Sequence, residues 1–134
     1  MSWKPYAHLK ADEKAIAERW VRAIPIQGKR EYDVHLEVPV VSPPAWWTKK
    51  DLSNWHAVRD KRIDMVVHAQ NEIWIMEITP KVSKAAVGGC LFYKQLYAEQ
   101  FKPTKKIELG IICELDDPAY HQILKDNKIR LWVV

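Results

Sequence analysis

Two acidic residues lie on neighbouring strand-like segments, where carboxylates are uncommon. Asp64 belongs to the apolar run 62–67 and Glu77 belongs to the run 73–79, and strands otherwise favour β-branched and aromatic residues. If the two segments pair as a hairpin, both carboxylates converge at one end of a sheet. The pattern therefore predicts a site for a hard divalent cation at that end.

Such a site would be suited to phosphodiester chemistry. Two carboxylates, the backbone carbonyl of Ile78 and water are ligands that Mg²⁺ or Mn²⁺ accepts. A metal held there polarises a phosphate and lowers the pKa of bound water, and Lys81 would stabilise the negative charge that develops. Glu13 lies on the apolar face of a helix predicted over 11–24. It could support the metal, or it could simply be a first-turn acid that the helix dipole favours.

The two acids also have a purely structural interpretation. Asp64 could pair with an arginine at a strand edge, and Glu77 could pair with a following lysine. The available partners are Arg59 and Arg62 for the first acid, and Lys81 and Lys84 for the second. Both interpretations stay open at this stage.

The size and composition of the chain predict one domain over residues 1–134. A hydrophobic content of 48% with 28% charged residues is ordinary for a soluble globular protein. No apolar run is long enough for a membrane span and no signal segment opens the chain, so we expect a cytoplasmic location. Cys90 and Cys113 lack CxxC spacing and are expected to be buried, reduced thiols.

Hydrophobic patterning predicts an α/β fold in the order α-β-β-β-α-β-α-β, with a mixed β-sheet flanked by helices. The late apolar runs are typical of strands that are buried on both faces. The predicted elements are helix 11–24, strands 33–41, 61–68 and 72–79, a helix from Ser83 to Phe101, strand 106–113, a short helix from Asp117 and strand 129–134.

A long connection over 42–60 carries three of the seven tryptophans, Trp46, Trp47 and Trp55. They could close the core, stack on unpaired bases, or bind a protein partner or a second copy of the chain. Trp46 and Trp47 are adjacent, so they cannot both point inward on an extended chain. We therefore expect one of them at a surface or an oligomer interface.

The net charge of +4 permits nucleic-acid binding. The lysines are clustered, which fits either solvated element ends or contacts to a phosphate backbone. On the second interpretation, binding to DNA should weaken strongly with salt. The candidate contacts are Lys49, Lys50, Lys84, Lys94, Lys102, Lys105 and Lys106.

The segment 62–93 resembles the core of the PD-(D/E)xK nuclease superfamily, which includes restriction endonucleases and Holliday-junction resolvases. The resemblance implies a restriction endonuclease-like αβββαβ core in which Asp64 and Glu77 hold the metal. It also implies that Glu13 matches the extra helical acid of some branches. The helix after Ser83 would match the one that often carries a glutamine, in a pattern like Gly-Gln-x-x-x-Tyr.

Two positions depart from the family pattern. The lysine position is Thr79, and the glutamine position is assigned to Cys90. Lys81 lies two residues beyond Thr79 and is the expected substitute for the missing lysine. The alternative is that catalysis has been lost and the fold kept as a scaffold.

These features predict a metal-dependent DNA endonuclease or resolvase-like phosphodiesterase. The alternative is a catalytically inactive nuclease-fold protein with a structural or assembly role, for example in a phage particle. A phage-encoded protein would act in the host cytoplasm or the virion. A third option is an inhibitor or adaptor that binds protein through the tryptophan-bearing connection.

Overall fold

Five strands form one mixed sheet in the order β1-β2-β3-β4-β5. In the computed structural model, which describes residues 9–23, 25–38, 42–58 (backbone alone over 55–58) and 61–134, β1 to β3 form an antiparallel meander. β4 and β5 add to it in parallel. The strands are β1 (Lys29–Leu36), β2 (Lys61–His68), β3 (Glu72–Lys81), β4 (Lys106–Leu115) and β5 (Ile129–Val133).

Four α-helices and a 3₁₀ turn connect or flank these strands. They are α1 (Ala11–Ala23), α2 (Lys49–Val58), α3 (Lys84–Phe101), a 3₁₀ turn (Pro118–Tyr120) and α4 (His121–Asp126). The predicted α/β fold with a mixed, helix-flanked sheet is confirmed. None of the described helices is long and apolar enough to cross a membrane.

Several predicted element bounds are wrong. β3 and β4 each end two residues later than predicted, at Lys81 and Leu115. β1 begins at Lys29 rather than residue 33, because its polar first residues still pair with the end of β2, from Lys29 opposite His68 onward. It ends at Leu36, so residues 37–38 of the predicted strand are not strand, and 39–41 lie outside the described residues.

The connection 42–60 contains α2, which the sequence analysis missed. A reciprocal cap starts this helix: the Thr48 hydroxyl accepts the Asp51 N–H at 3.2 Å, and Asp51 Oδ2 accepts the Thr48 N–H at 2.9 Å.

The sheet is buried on both faces, as the late apolar runs predicted. On one face, Trp20 of α1 packs with Met65, Met76 and Ile112 of the sheet. On the other face, helices α3 and α4 cover a second cluster of sheet side chains. Helix α3 therefore lies across the sheet from α1.

Helix α3 is fixed at both ends. Ser83 caps its start by accepting the Ala86 N–H at 3.2 Å, and Lys102 ends it in the left-handed conformation at φ 43°. Cys90 on its inner face and Cys113 on β4 are both fully buried free thiols. The predicted helix start at Ser83 and the predicted burial of both cysteines are confirmed.

Candidate functional site

Three acids from three different elements line one pocket of about 340 Å³. Glu13 comes from the first turn of α1, Asp64 from β2 and Glu77 from β3. The pocket lies at the end of the sheet where β2 begins and β3 ends. Its remaining lining residues are Ile78, Thr79, Ser83, Ala85, Ala86, Gly89 and Tyr93.

Asp64 sits where the β2–β3 ladder stops. The last paired residues are Met65 and Met76, and beyond them the Asp64 carboxylate itself accepts the Ile78 N–H at 2.9 Å. The alternation of side chains also shifts here: Ile63 packs in the cluster beneath α3, whereas Met65 packs in the cluster beneath α1. Strict alternation would place Ile63 and Met65 on one face, so Asp64 marks a local distortion of the strand.

The opposite strand is distorted at the same point. Asp33 of β1, which lies between the paired residues Tyr32 and Val34, has a φ of 55°, in the left-handed region that non-glycine residues seldom occupy. Regular pairing is therefore interrupted on both sides of Asp64. The distortion frees the Asp64 side chain from the regular direction of the strand and turns it towards the backbone of β3.

Glu77 carries the uncompensated charge of the site. Its Oε1 is buried and has no hydrogen-bond partner among the described residues. Burial raises the pKa of Glu77 well above its usual value, and the carboxylates of Asp64 and Glu13 raise it further. A buried carboxylate normally has hydrogen bonds, a cation or a proton to compensate it, so this oxygen is poised to take one of them.

Helix α3 forms the other wall of the pocket through a residue without a side chain. A Cβ on Gly89 would lie 3.4 Å from Glu77 Oε2, so glycine lets the helix pass close to the acid. One turn on, burial followed by the charges of Glu77 and Asp64 raises the pKa of Tyr93 to about 12. Its phenol therefore stays protonated at neutral pH and keeps its proton for donation.

Cys90, which was compared with the glutamine position of the family, does not line the pocket. The Cys90 thiol points into the core and approaches the Gly110 carbonyl at 3.7 Å, whereas Gly89 lines the pocket. Successive helix residues are turned by about 100°, so the two positions face different surroundings. Helix α3 contributes four lining residues that the sequence analysis did not select, Ala85, Ala86, Gly89 and Tyr93. The spacing of four between Gly89 and Tyr93 on a capped helix was the available signal.

No lysine or arginine lines this pocket, within the parts of the chain that the structure describes. The hydroxyl of Thr79 donates to the Lys81 carbonyl at 2.9 Å, and Lys81 Nζ lies 3.7 Å from Asp117 Oδ2 with the side chain 60% exposed. Lys84 is exposed in the first turn of α3. The structural pairing of Glu77 with Lys81 or Lys84 is not formed.

Two of the other predicted DNA contacts lie at the opposite end of the sheet from the acids. Lys106 pairs in the sheet with Glu72, at the end of β3 remote from Glu77, about 17 Å away at the usual strand rise. Lys105 Nζ donates to the Ala69 carbonyl there at 2.8 Å. The remaining candidates, Lys49 and Lys50 at the start of α2, Lys94 on α3 and Lys102 at its end, are all exposed.

The donors at the pocket fit Mg²⁺ or Mn²⁺ better than zinc. Among the described residues, no three His, Cys, Asp or Glu side chains are grouped to hold a metal ion by themselves. Mg²⁺, however, is commonly held by one or two carboxylates and completes its shell with water and substrate phosphates. Asp64 and Glu77, with the unpartnered Glu77 Oε1, provide such a partial set.

Comparisons of this chain with protein-family models, with curated proteins and with solved structures found no match.

Proposed function

We propose that this chain is a metal-dependent DNA phosphodiesterase of the PD-(D/E)xK type, acting as an endonuclease or a resolvase. The observation that carries the proposal is the buried, unpartnered Glu77 Oε1 beside two further acids. Leaving such an atom uncompensated costs about 1–3 kcal/mol. Costs of this kind concentrate at functional sites, where a ligand completes the missing contacts.

In the proposed mechanism, Asp64 and Glu77 hold the cation together with the Ile78 carbonyl, and Glu13 supports it. When bound, the metal supplies Lewis acidity and a water of lowered pKa. Asp64 already bonds to the Ile78 N–H, which fixes its carboxylate next to β3. The start of α3 at the pocket favours the negative charge of a phosphate group, and the protonated Tyr93 can donate a hydrogen bond to it.

Lys81 is the proposed substitute for the lysine that Thr79 replaces. It follows Glu77 by four residues on the same strand, so both lie on one face if alternation holds. Its present contact with Asp117 is exposed, and exposed ion pairs contribute only about 0–1 kcal/mol. A phosphate at the pocket could therefore draw the ammonium away from Asp117 at little cost.

The alternative function is a catalytically inactive nuclease-fold protein with an assembly role, for example in a phage particle. One observation favours it: the pocket, as far as the described residues show, has acids but no basic side chain. On either proposal the protein acts in the cytoplasm, or in a virion if it is phage-encoded.

Cleavage of labelled linear, branched and single-stranded DNA in Mg²⁺ or Mn²⁺ tests the proposal. We expect wild type to cleave at least one substrate and Glu77→Gln to be slower by about 100-fold or more, because a metal ligand is lost. Glu99→Gln is the matched control, since Glu99 is exposed on α3 and should cleave as wild type does. Absence of cleavage by wild type on every substrate would favour the inactive alternative.

A further inference from the structure

A short turn exposes the Trp46 side chain to solvent. Trp46 is 78% exposed, more than any other large hydrophobic residue among the described positions. The Trp47 N–H donates to the Pro44 carbonyl at 3.1 Å, which closes the turn. The reciprocal cap between Thr48 and Asp51 follows at once. The exposure of Trp46 is thus fixed by the local structure.

The adjacent indole supports this arrangement. The rings of Trp46 and Trp47 meet edge to face, with centroids 6.4 Å apart and an interplanar angle of 76°. Edge-to-face contact is a favoured geometry of aromatic pairs, and it steadies the Trp46 ring. Trp47 is itself only partly buried. A steadied and exposed indole is a ready stacking platform.

Two lysines follow this platform closely along the chain. Lys49 and Lys50 are the first two residues of α2 and both are exposed. An aromatic ring next to cationic side chains complements nucleic acid, in which flat bases alternate with phosphates. A protein surface that docks through Trp46 would gain nothing comparable from two lysines, since lysine is depleted at protein interfaces.

The turn belongs to a segment that is tethered at the acid-pocket end of the sheet. The chain leaves the sheet at Leu36 and enters it again at Lys61, and these two residues pair with each other. Asp64 follows Lys61 by three residues on β2. The segment that carries the turn is therefore joined to the sheet at the end that carries the acids.

We propose that Trp46, Lys49 and Lys50 form a nucleic-acid grip that stacks on an unpaired base and contacts the neighbouring phosphates. The inference rests on the proposed function and narrows its substrate to DNA with single-stranded or frayed segments. A fully paired duplex offers its base faces only at its ends, so it engages the lysines but not the indole.

Binding measured without divalent metal separates the grip from cleavage. Fluorescence anisotropy of a labelled oligo-dT strand and of a blunt duplex would be recorded with wild type, Trp46→Ala, Trp46→Phe and Ile123→Ala. We expect Trp46→Ala to raise the Kd for the single strand by about 5- to 150-fold, the range for one lost stacking contact, and Trp46→Phe to retain most of the affinity. Ile123 is 45% exposed on α4 and serves as the control, with unchanged binding.

Unchanged single-strand affinity in Trp46→Ala overturns the inference, as does an equal loss in Ile123→Ala. Gel filtration of the same variants tests whether Trp46 instead binds a second copy of the chain. If wild type is an oligomer that Trp46→Ala dissociates, and DNA affinity is unchanged, the indole belongs to that interface and the nucleic-acid inference is overturned. Trp46-dependent binding without cleavage supports the grip while the proposed catalysis fails. Cleavage without Trp46-dependent binding refutes the grip alone.

Discussion

The two ends of the sheet carry very different pockets. The larger one, of about 660 Å³, lies at the end where β3 begins and is lined by polar residues such as Gln70, Asn71 and Arg130. Its charged lining residues are Glu72 and Arg130, and the Arg130 guanidinium stacks over the Trp132 ring at 4.6 Å. The orphan polar atom among its lining residues is the neutral indole N–H of Trp74.

The smaller pocket at the other end leaves a carboxylate oxygen without a partner. Two lysines at the larger pocket's end have partners: Lys106 Nζ lies 2.9 Å from Glu108 Oε1 and Lys105 Nζ donates to the Ala69 carbonyl. A buried carboxylate oxygen without a partner, rather than cavity size, therefore distinguishes the candidate active site. Variants that act on one end and spare the other can test this difference.

The largest expected effect comes from exchanging one lysine at each end. Lys81→Ala should slow cleavage at saturating DNA by about 100-fold if Lys81 stabilises the reacting phosphate, which is typical for loss of one such group. Lys106→Ala should change the rate by less than about twofold, because it lies far from the acids. Single-turnover kinetics provide the measurement. Equal rates for Lys81→Ala and wild type would remove Lys81 from the mechanism.

A smaller effect should appear in the pH dependence of stability. The raised pKa of Glu77 means that the folded protein binds this proton more tightly than the unfolded chain. The stabilisation is complete below the ordinary glutamate pKa of about 4.3 and is lost as pH rises through the higher folded-state value. At high pH and without metal, the free energy of unfolding of Glu77→Gln should exceed that of wild type by about 1–2 kcal/mol.

Thermal unfolding between acidic and alkaline pH provides this comparison. Glu72→Gln is the control from the other end of the same strand, and its stability should follow the wild-type curve. A Glu77→Gln curve parallel to wild type at all pH values would show that Glu77 is compensated in solution.

The smallest effect concerns two neighbouring glycines of α3. A Cβ on Gly88 meets no other atom within 4 Å, so Gly88→Ala should raise the free energy of unfolding by about 1 kcal/mol through helix propensity. Gly89→Ala places a methyl group 3.4 Å from Glu77 Oε2, so its free energy of unfolding should rise by less than that of Gly88→Ala. Gly89→Ala should also reduce the increase in Tm on adding Mn²⁺, which Gly88→Ala should leave intact. The same Mn²⁺ response in both variants would place the cation away from this wall.

Most of the fold was predictable because it depends on patterns within single elements. The alternation along β2 and β3, the cap at Ser83 and the apolar run of β4 are local signals, and the structure has all of these elements. Helix α2 was missed because prolines and tryptophans dominate the segment before it. Its Thr48–Asp51 cap was visible in the sequence, but the following residues lack an apolar stripe.

The site was less predictable because it depends on contacts between elements. The sequence predicted that Asp64 and Glu77 would approach each other, and both do line one pocket with Glu13. It could not predict the shift of alternation at Asp64, which arises where the β2–β3 ladder stops. Nor could it show that Gly89 rather than Cys90 faces the acids, because this depends on the rotation of α3 about its axis.

The reaction rates of the two buried cysteines can report how often the folded protein opens. Burial raises the pKa of both thiols, and nearby carboxylates raise it further, those of Glu77 and Asp64 for Cys90 and that of Asp116 for Cys113. The reactive thiolate is therefore scarce in the folded state. An alkylating reagent therefore modifies them only when α3 lifts from the sheet or the strands part. Cys90 is next to Gly89, which lines the acid pocket on α3. Its rate of alkylation therefore reports how often this side of the pocket opens.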